Sequence, residues 1–227
     1  MSQSNTAILV FAHSAKHEAS QKKFLKADLL FSELNKQTID KVKRSGLPYF
    51  VFTEKEQTGD DFGHRFANAI QAVYDKGYDN IITIGNDTPH LKTRQLKLTA
   101  EKLKTAPVVL GPSRDGGFYL MGLRKSHFNA EVFIALPWKT RRLTQYISDL
   151  AEAKNIQIIK LNVLADIDSS SDIFTVLKSG KSLNLRLISL LLSLILAPKR
   201  RFFATFEQVF DTQFLIPFNK GSPVLLH

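Results

Sequence analysis

The segment 85–91, Gly-Asn-Asp-Thr-Pro-His-Leu, places a carboxylate in a tight loop directly after a predicted strand. Such a carboxylate can hold Mg²⁺ or Mn²⁺ against phosphate groups, because hard cations prefer oxygen ligands. Asp87 could instead cap a helix that begins near Pro89. The local pattern leaves both roles open, metal ligand and helix cap.

The segment 111–119 contains the densest set of residues with special backbone geometry. Gly116 and Gly117 permit positive φ angles and let a ligand approach the backbone closely. Asp115 could act as a base or orient a hydroxyl group, and Arg114 could bind a phosphate or a carboxylate. A hairpin turn between two strands would explain the Asp-Gly pair without any ligand.

A third set of carboxylates lies in the segment 165–172, which opens a predicted helix. Ser169 followed by Asp172 is typical of an N-terminal helix cap. That role leaves Asp166 and Asp168 free, and either could reach a metal ion held by Asp87.

Basic residues follow the first predicted strand. Lys16, Lys22 and Lys23, together with a helix N-terminus, could bind phosphate, and a solvated basic helix face would explain them as well. His13 and His17 have a spacing found in zinc sites. No third ligand or His-Glu-x-x-His pattern accompanies them, so we expect no zinc here.

Short apolar runs alternate with amphipathic segments over about residues 5–178, which indicates strands alternating with helices. The predicted strands are 7–11, 49–52, 80–84, 107–110, 118–123 and 156–161. The predicted helices are 18–34, 61–74, 91–103, 139–153 and 170–177. This alternation is typical of an α/β domain with a mostly parallel sheet, in which ligands bind beyond the carboxyl ends of the strands.

The chain changes character at residue 179. The segment 184–197 predicts a helix that is apolar nearly all round, ended by Pro198 and followed by the basic run 199–201. Phenylalanine then recurs between residues 202 and 218. We expect residues 179–227 to form a helical extension packed on the core or on a second subunit, in a homodimer, with a membrane-surface anchor as the alternative.

Composition limits the possible partners. The chain has 44% hydrophobic residues and no cysteine, which is compatible with a globular core and excludes thiolate chemistry. Its net charge of +10 favours anionic partners. No recognisable RNA-binding motif accompanies that charge, which argues against nucleic acid. No run reaches the roughly 20 apolar residues of a membrane span, and no secretory pattern is visible, so we expect a cytoplasmic protein.

Taken in order, the motifs resemble those of the GT-A-fold, nucleotide-diphospho-sugar transferase-like family, often labelled radical-SAM/selenodomain-associated glycosyltransferases. The most specific match is 110–123, Leu-Gly-Pro-Ser-Arg-Asp-Gly-Gly-Phe-Tyr-Leu-Met-Gly-Leu. The segments 85–91 and 57–65 are similar to the family's Gly-x-Asp-x-Pro-x-Leu and Gln-x-Gly-x-Leu-Gly-x-Arg. The segments 137–140 and 166–169 resemble its Trp-Ser/Thr-Thr and Asp-Val-Asp-Thr. The resemblance covers roughly residues 5–178.

The resemblance implies a Rossmann-like three-layer α/β/α sandwich and transfer from a nucleotide-activated donor to an acceptor, with Mg²⁺ or Mn²⁺ as cofactor. It implies metal binding by Asp87 and Asp168, and a catalytic role for Asp115. It places the substrate pocket at Arg114, Gly116, Gly117 and Trp138. It assigns nucleotide binding to Lys16, Lys22, Lys23 and Arg65.

The first loop departs from the family's Lys-x-Pro-x-x-Gly-x-x-Lys-Thr-Arg-Leu pattern. Here residues 13–24 lack the glycine and the arginine, and Lys22 or Lys23 replaces them only in part. Two alternatives therefore stand beside the transferase hypothesis. One is a nucleotidyltransferase on the same fold, and the other is a non-catalytic binding or scaffold protein.

Overall fold

The computed structural model describes residues 5–22, 26–179 and 183–196. One sheet contains six strands, β1 (Thr6–Phe11), β2 (Tyr49–Phe52), β3 (Asn80–Ile84), β4 (Val108–Pro112), β5 (Phe118–Arg124) and β6 (Ile158–Lys160). The described helices are α1 (Ala15–Gln21), α2 (Ala27–Lys43), α3 (Phe62–Tyr74), α4 (Thr93–Lys102), α5 (Ala130–Ile134), α6 (Leu143–Ala153), α7 (Ser170–Lys178) and α8 (Leu185–Leu196).

The strand order in the sheet is β2-β1-β3-β5-β4-β6. β1 pairs in parallel with β2 and β3, and β4 pairs in parallel with β6. β5 runs antiparallel between β3 and β4. The carboxyl ends of β1, β3 and β4 therefore lie at one edge, and the β4–β5 turn lies at that edge too. This confirms the predicted α/β class and mostly parallel sheet.

Helices cover both faces of the sheet. In β1, Ala7 and Leu9 pack into one apolar cluster with α3, α5 and α6, while Ile8 and Val10 pack into a second cluster with α4. β1 and β3 are almost entirely buried because both of their faces are covered. β2, at an edge, alternates exposed and half-buried residues. The result is the predicted three-layer sandwich.

The predicted single helix over 18–34 is wrong. The structure has α1 and α2 instead, and Lys26 immediately before α2 has a φ of 55°. A right-handed helix cannot continue through that left-handed conformation. The helix α5 was not predicted, because five residues are too few to show a 3.6-residue period.

The helix α8 packs on the domain through one side only. Leu187, Leu191 and Leu194 are buried against α2 and α7, whereas Leu185 and Leu196 are 83% and 64% exposed. Most of the predicted extension, residues 197–227, lies outside the described residues, so the division at residue 179 and the homodimer stay predictions. No helix in the described ranges is long and apolar enough to span a bilayer.

Candidate active site

Three loops meet at the carboxyl edge of the sheet. The loop 164–168, which follows β6, is held to both of its neighbours by backbone hydrogen bonds. Ile167 N donates to Asp87 O at 3.0 Å, which joins it to the loop after β3. Leu164 N donates to Pro112 O at 3.1 Å, which joins it to the end of β4. These bonds bring carboxylates from distant parts of the sequence into one place.

Asp115, Asp166 and Asp168 form a cluster in which one carboxylate oxygen of each lies within 4.8 Å of the others. The backbone of Gly117 donates to Asp115 Oδ1 at 2.9 Å, and the Ser113 hydroxyl donates to the same oxygen. Asp115 is therefore oriented by its own turn. We call Asp87 and the three clustered residues the acidic wall.

Ionisation of the buried carboxyl groups in the acidic wall is unfavourable. Burial and, to a smaller extent, the neighbouring charges of Asp87 and Asp115 together raise the pKa of Asp166 to about 7. Burial also raises the pKa of Asp87 to about 6, although the ammonium of Lys22 opposes that rise. An added cation would relieve this repulsion.

Lys22 is the nearest described cation to the acidic wall. Its Nζ lies 2.9 Å from both Asp168 Oδ1 and the carbonyl oxygen of Ile167, and 3.8 Å from Glu18 Oε2. Burial opposes its charge, but Asp87 and Asp168 outweigh that effect and raise its pKa. The structure thus places this predicted phosphate ligand beside carboxylates.

Glu18 is a site residue that the sequence interpretation missed. It lies on α1, lines the same cleft and sits 3.5 Å from His13 Nδ1. Although burial opposes ionisation, the hydrogen bond with His13 and the charge of Lys22 lower its pKa. Only its place after the first predicted strand could have indicated it.

The acidic wall opens into a cleft of about 560 Å³. Its other side is lined by an aromatic wall, consisting of Phe11, Phe62, Phe66, Phe118 and Trp138. The Trp138 ring centroid lies 5.2 Å from that of Phe62 and 5.6 Å from that of Phe66. Trp138 Nε1 donates to Phe133 O at 2.9 Å, so its polar atom is satisfied while its ring packs.

Gly63 explains how Trp138 fits against α3. A Cβ at residue 63 would lie 2.9 Å from both Trp138 Nε1 and the carbonyl oxygen of Ile134. Any side chain there would push the indole away. The Phe-Gly pair at 62–63 and the tryptophan at 138 therefore form one packing unit.

The segment 137–144 is fastened to the β4–β5 turn. Gly116 has a φ of 94°, and a Cβ there would lie 1.9 Å from Arg141 O. Thr144 N donates to Gly116 O at 3.0 Å, and the Thr144 hydroxyl donates to Gly117 O. The backbone of Lys139 and Arg141, which we call the basic rim, is thereby held beside the cleft that both residues line.

The remaining predicted site residues lie differently. Arg114 and Lys16 are exposed, and Arg65 is half-buried on α3; none of the three lines the cleft. Lys23 lies outside the described residues. Asp87, Asp115, Gly117, Trp138 and Asp168 all line the cleft, so the structure brings together five of the eleven predicted site residues there.

The acidic wall has the chemistry of a site for a hard divalent cation. It supplies carboxylate oxygens only, which Mg²⁺ and Mn²⁺ prefer, and its like charges need compensation. Asp166 belongs to the three-carboxylate cluster, although the family resemblance implied only Asp87 and Asp168. Both Asp166 and Asp168 were noticed in the sequence, but spacing alone could not choose between them.

Residues 11–140 match the family described as "Uncharacterized protein conserved in bacteria (DUF2064)". This stretch is more than half of the chain, so the chain belongs to that family. No curated protein matches the sequence.

Solved structures show the fold more precisely. The crystal structure of a provisionally assigned nucleotide-diphospho-sugar transferase from Desulfovibrio desulfuricans G20 has a TM-score of 0.71 at 22% identity, covering 92% of this chain and 98% of that chain. Rv0371c from Mycobacterium tuberculosis H37Rv is a more distant match, with a TM-score of 0.47 at 13% identity, 78% of this chain and 100% of that chain. The chain has the GT-A-like fold of nucleotide-sugar transferases.

Proposed function

We propose that this protein is a metal-dependent transferase that takes its donor group from a nucleotide-activated sugar. The observation that carries the proposal is the acidic wall, where Asp115, Asp166 and Asp168 converge beside Asp87 at the carboxyl edge of the sheet. The fold supports the proposal, because it is shared with a protein provisionally assigned as a nucleotide-diphospho-sugar transferase.

The acidic wall would hold the cation, which when bound neutralises the diphosphate of the donor. Asp166 is a ligand candidate because it belongs to the three-carboxylate cluster and because burial, with the charges of Asp87 and Asp115, raises its pKa. Asp115 is oriented by Ser113 and Gly117, and its place in the cluster favours a role as ligand over a role as general base. Lys22 holds Asp168 and would stand close to the donor phosphates.

The cleft of about 560 Å³ has an acidic and an aromatic lining, and we assign these two linings to different parts of the reaction. The acidic wall would face the donor diphosphate. The aromatic wall would support the acceptor or the transferred sugar, because the apolar face of a sugar packs well on aromatic rings. The residues of α1 and the loop after β1 would flank the nucleotide.

The test is calorimetry with a panel of nucleoside diphosphates and diphospho-sugars, with and without Mn²⁺. We expect one nucleotide to bind only with Mn²⁺, and the variant Asp166→Asn to weaken that binding about 100-fold or more, as loss of a metal ligand does. Asp149→Asn is the matched control, because Asp149 is exposed on α6 and, among the described residues, forms a side-chain hydrogen bond only with Gln145.

The outcome also separates the alternatives. Release of a nucleoside diphosphate from a diphospho-sugar would support sugar transfer. Release of pyrophosphate from a nucleoside triphosphate and a sugar phosphate would replace it by nucleotidyl transfer. Folded protein that binds no nucleotide, with or without metal, would contradict both and favour the scaffold hypothesis raised by the altered first loop.

A further inference from the structure

The cleft has a charge asymmetry that the proposed donor does not explain. The acidic wall would take the metal and the diphosphate, yet the basic rim, which lies beside the turn that carries Asp115, also lines the cleft. Neither Lys139 nor Arg141 takes part in an ion pair among residues 5–22, 26–179 and 183–196. Their charge is therefore available to a ligand.

The backbone holds the basic rim in place. Lys139 has a φ of 60°, a conformation that a lysine adopts only when its surroundings impose it. The surroundings here are specific, because Thr140 Oγ1 donates to Pro137 O at 2.8 Å and Arg141 packs on the backbone of Gly116. The backbone that carries these two exposed cations is therefore preorganised, and the two side chains can bind one anion together.

The basic rim is continuous with the aromatic wall. Trp138 precedes Lys139 directly, and its ring packs on Phe62 and Phe66 at the back of the cleft. A ligand that spans both features needs a flat or apolar body for the rings and a negative group for the cations. Neutral sugars and hydrophobic alcohols satisfy only one of these requirements.

We infer that the acceptor of this transferase carries an anionic group, a phosphate or a carboxylate, on an apolar or planar body. The identification of this ligand as the acceptor rests on the proposed function, whereas its binding chemistry is inferred from the residues of the cleft alone. The negative group would contact Lys139 and Arg141, and the body would lie on Trp138. The hydroxyl that receives the transferred group would then point toward the acidic wall.

The test uses the fluorescence of Trp138, which is the only tryptophan in the chain. The metal-free protein in EDTA is titrated with phenyl phosphate, benzoate, phenyl β-glucoside and glycerol phosphate, and affinities are checked by calorimetry. Phenyl phosphate or benzoate should bind about tenfold more tightly than phenyl glucoside, and more tightly than glycerol phosphate, since one charge-assisted contact provides a factor of that size. The difference in affinity between phenyl phosphate and benzoate shows whether the site prefers a phosphate or a carboxylate.

The double variant Lys139→Gln, Arg141→Gln should reduce that tenfold preference to about threefold or less while phenyl glucoside affinity stays unchanged. The double variant Arg94→Gln, Lys97→Gln is the matched control, because it removes the same charge from the exposed face of α4. Thermal unfolding of each variant shows that it is folded.

Three outcomes would overturn the inference. Equal affinity for phenyl phosphate, benzoate and phenyl glucoside removes the anionic requirement. An unchanged preference in the Lys139, Arg141 double variant removes the basic rim as the group that binds the anion. A loss of Mn²⁺-dependent nucleotide affinity as large as the loss of phenyl phosphate affinity assigns the basic rim to the donor. Anion binding at Trp138 without any nucleotide binding supports the anion site at the basic rim and overturns only the proposed nucleotide donor.

Discussion

The acidic wall and the basic rim face the same cleft, but they are built in different ways. The acidic wall is assembled from three loops that are separated in sequence and joined by backbone hydrogen bonds such as that from Ile167 N to Asp87 O. The basic rim comes from a single segment, fastened at Gly116. Assembly from several loops brings together charges that are distant in the sequence, whereas the basic rim consists of two cations that are close in the sequence.

The two regions also differ in electrostatic strain. Crowding and burial raise the pKa values of Asp166 and Asp87 to about 7 and about 6, so the acidic wall is poised to exchange protons for a metal. The basic rim is exposed and forms no ion pair within the described ranges, so it is not crowded by other charged groups in this way. A bound cation would neutralise the acidic wall, whereas the basic rim would attract anions.

The largest effect is expected where the two regions touch, at Gly116. Gly116→Ala would force a Cβ to within 1.9 Å of Arg141 O at a φ of 94°, so segment 137–144 must shift. We expect the free energy of unfolding to fall by about 2–4 kcal/mol. We also expect weaker ligand binding at both the acidic wall and the basic rim. Denaturant titration measures the stability, and Trp138 fluorescence reports the shift.

Gly77→Ala is the matched control for that variant. Gly77 has a φ of 91°, and a Cβ there would meet nothing within 4 Å. It should therefore cost only the backbone conformational term, about 1 kcal/mol. Equal losses in the two variants would mean that the contact between Gly116 and Arg141 does not couple the two regions.

The next effect concerns pH and metal. Because the folded-state pKa of Asp166 is about 7, above its usual 3.8, its contribution to stability is complete below about pH 4 and is lost as the pH rises through 7. The metal-free wild type should lose stability over that range relative to Asp166→Asn. At pH 8, Mn²⁺ at 100 times its Kd should restore about 2.7 kcal/mol in the wild type only.

Thermal unfolding of both proteins from pH 4 to pH 8, with EDTA or with Mn²⁺, makes that measurement. The variant Asp149→Asn should follow the wild type at every pH. Equal stabilisation of Asp166→Asn and the wild type by Mn²⁺ would remove Asp166 from the metal site and weaken the contrast between the two regions.

The smallest effect sharpens the role of Lys22, the cation inside the acidic wall. Lys22→Met removes an ammonium 2.9 Å from Asp168 Oδ1, so a divalent cation would meet less repulsion. We expect Mn²⁺ to bind about threefold more tightly and the nucleoside diphosphate to bind about tenfold more weakly. Calorimetry with each ligand separates these opposite changes, and parallel losses would show that Lys22 only orders the loop.

The fold could be predicted largely from local patterns. The buried runs at 7–11 and 80–84 and the amphipathic segment 61–74 have unambiguous periods, and the structure has strands and a helix there. The break before α2 could not be predicted, because it depends on the left-handed backbone of Lys26 and not on a proline or glycine. Local propensity does not contain that information.

The candidate site was predictable in part. Carboxylates after strand ends were visible in the sequence, and the rule for parallel sheets placed them at one edge. The joining of Asp115 to Asp166 and Asp168 across about 50 residues of sequence depends on the pairing of β4 with β6. The packing of Trp138 over Gly63 depends on tertiary contacts that no period in the sequence reports.

The connection between β5 and β6 has a consequence for how such proteins can diversify. This stretch, residues 125–157, carries Trp138 and the basic rim, and it leaves and re-enters the sheet at the two neighbours of β4. None of the acidic wall lies within it. Substitutions that change Trp138 or the basic rim therefore fall in one contiguous stretch of chain, and they leave the residues of the acidic wall unchanged.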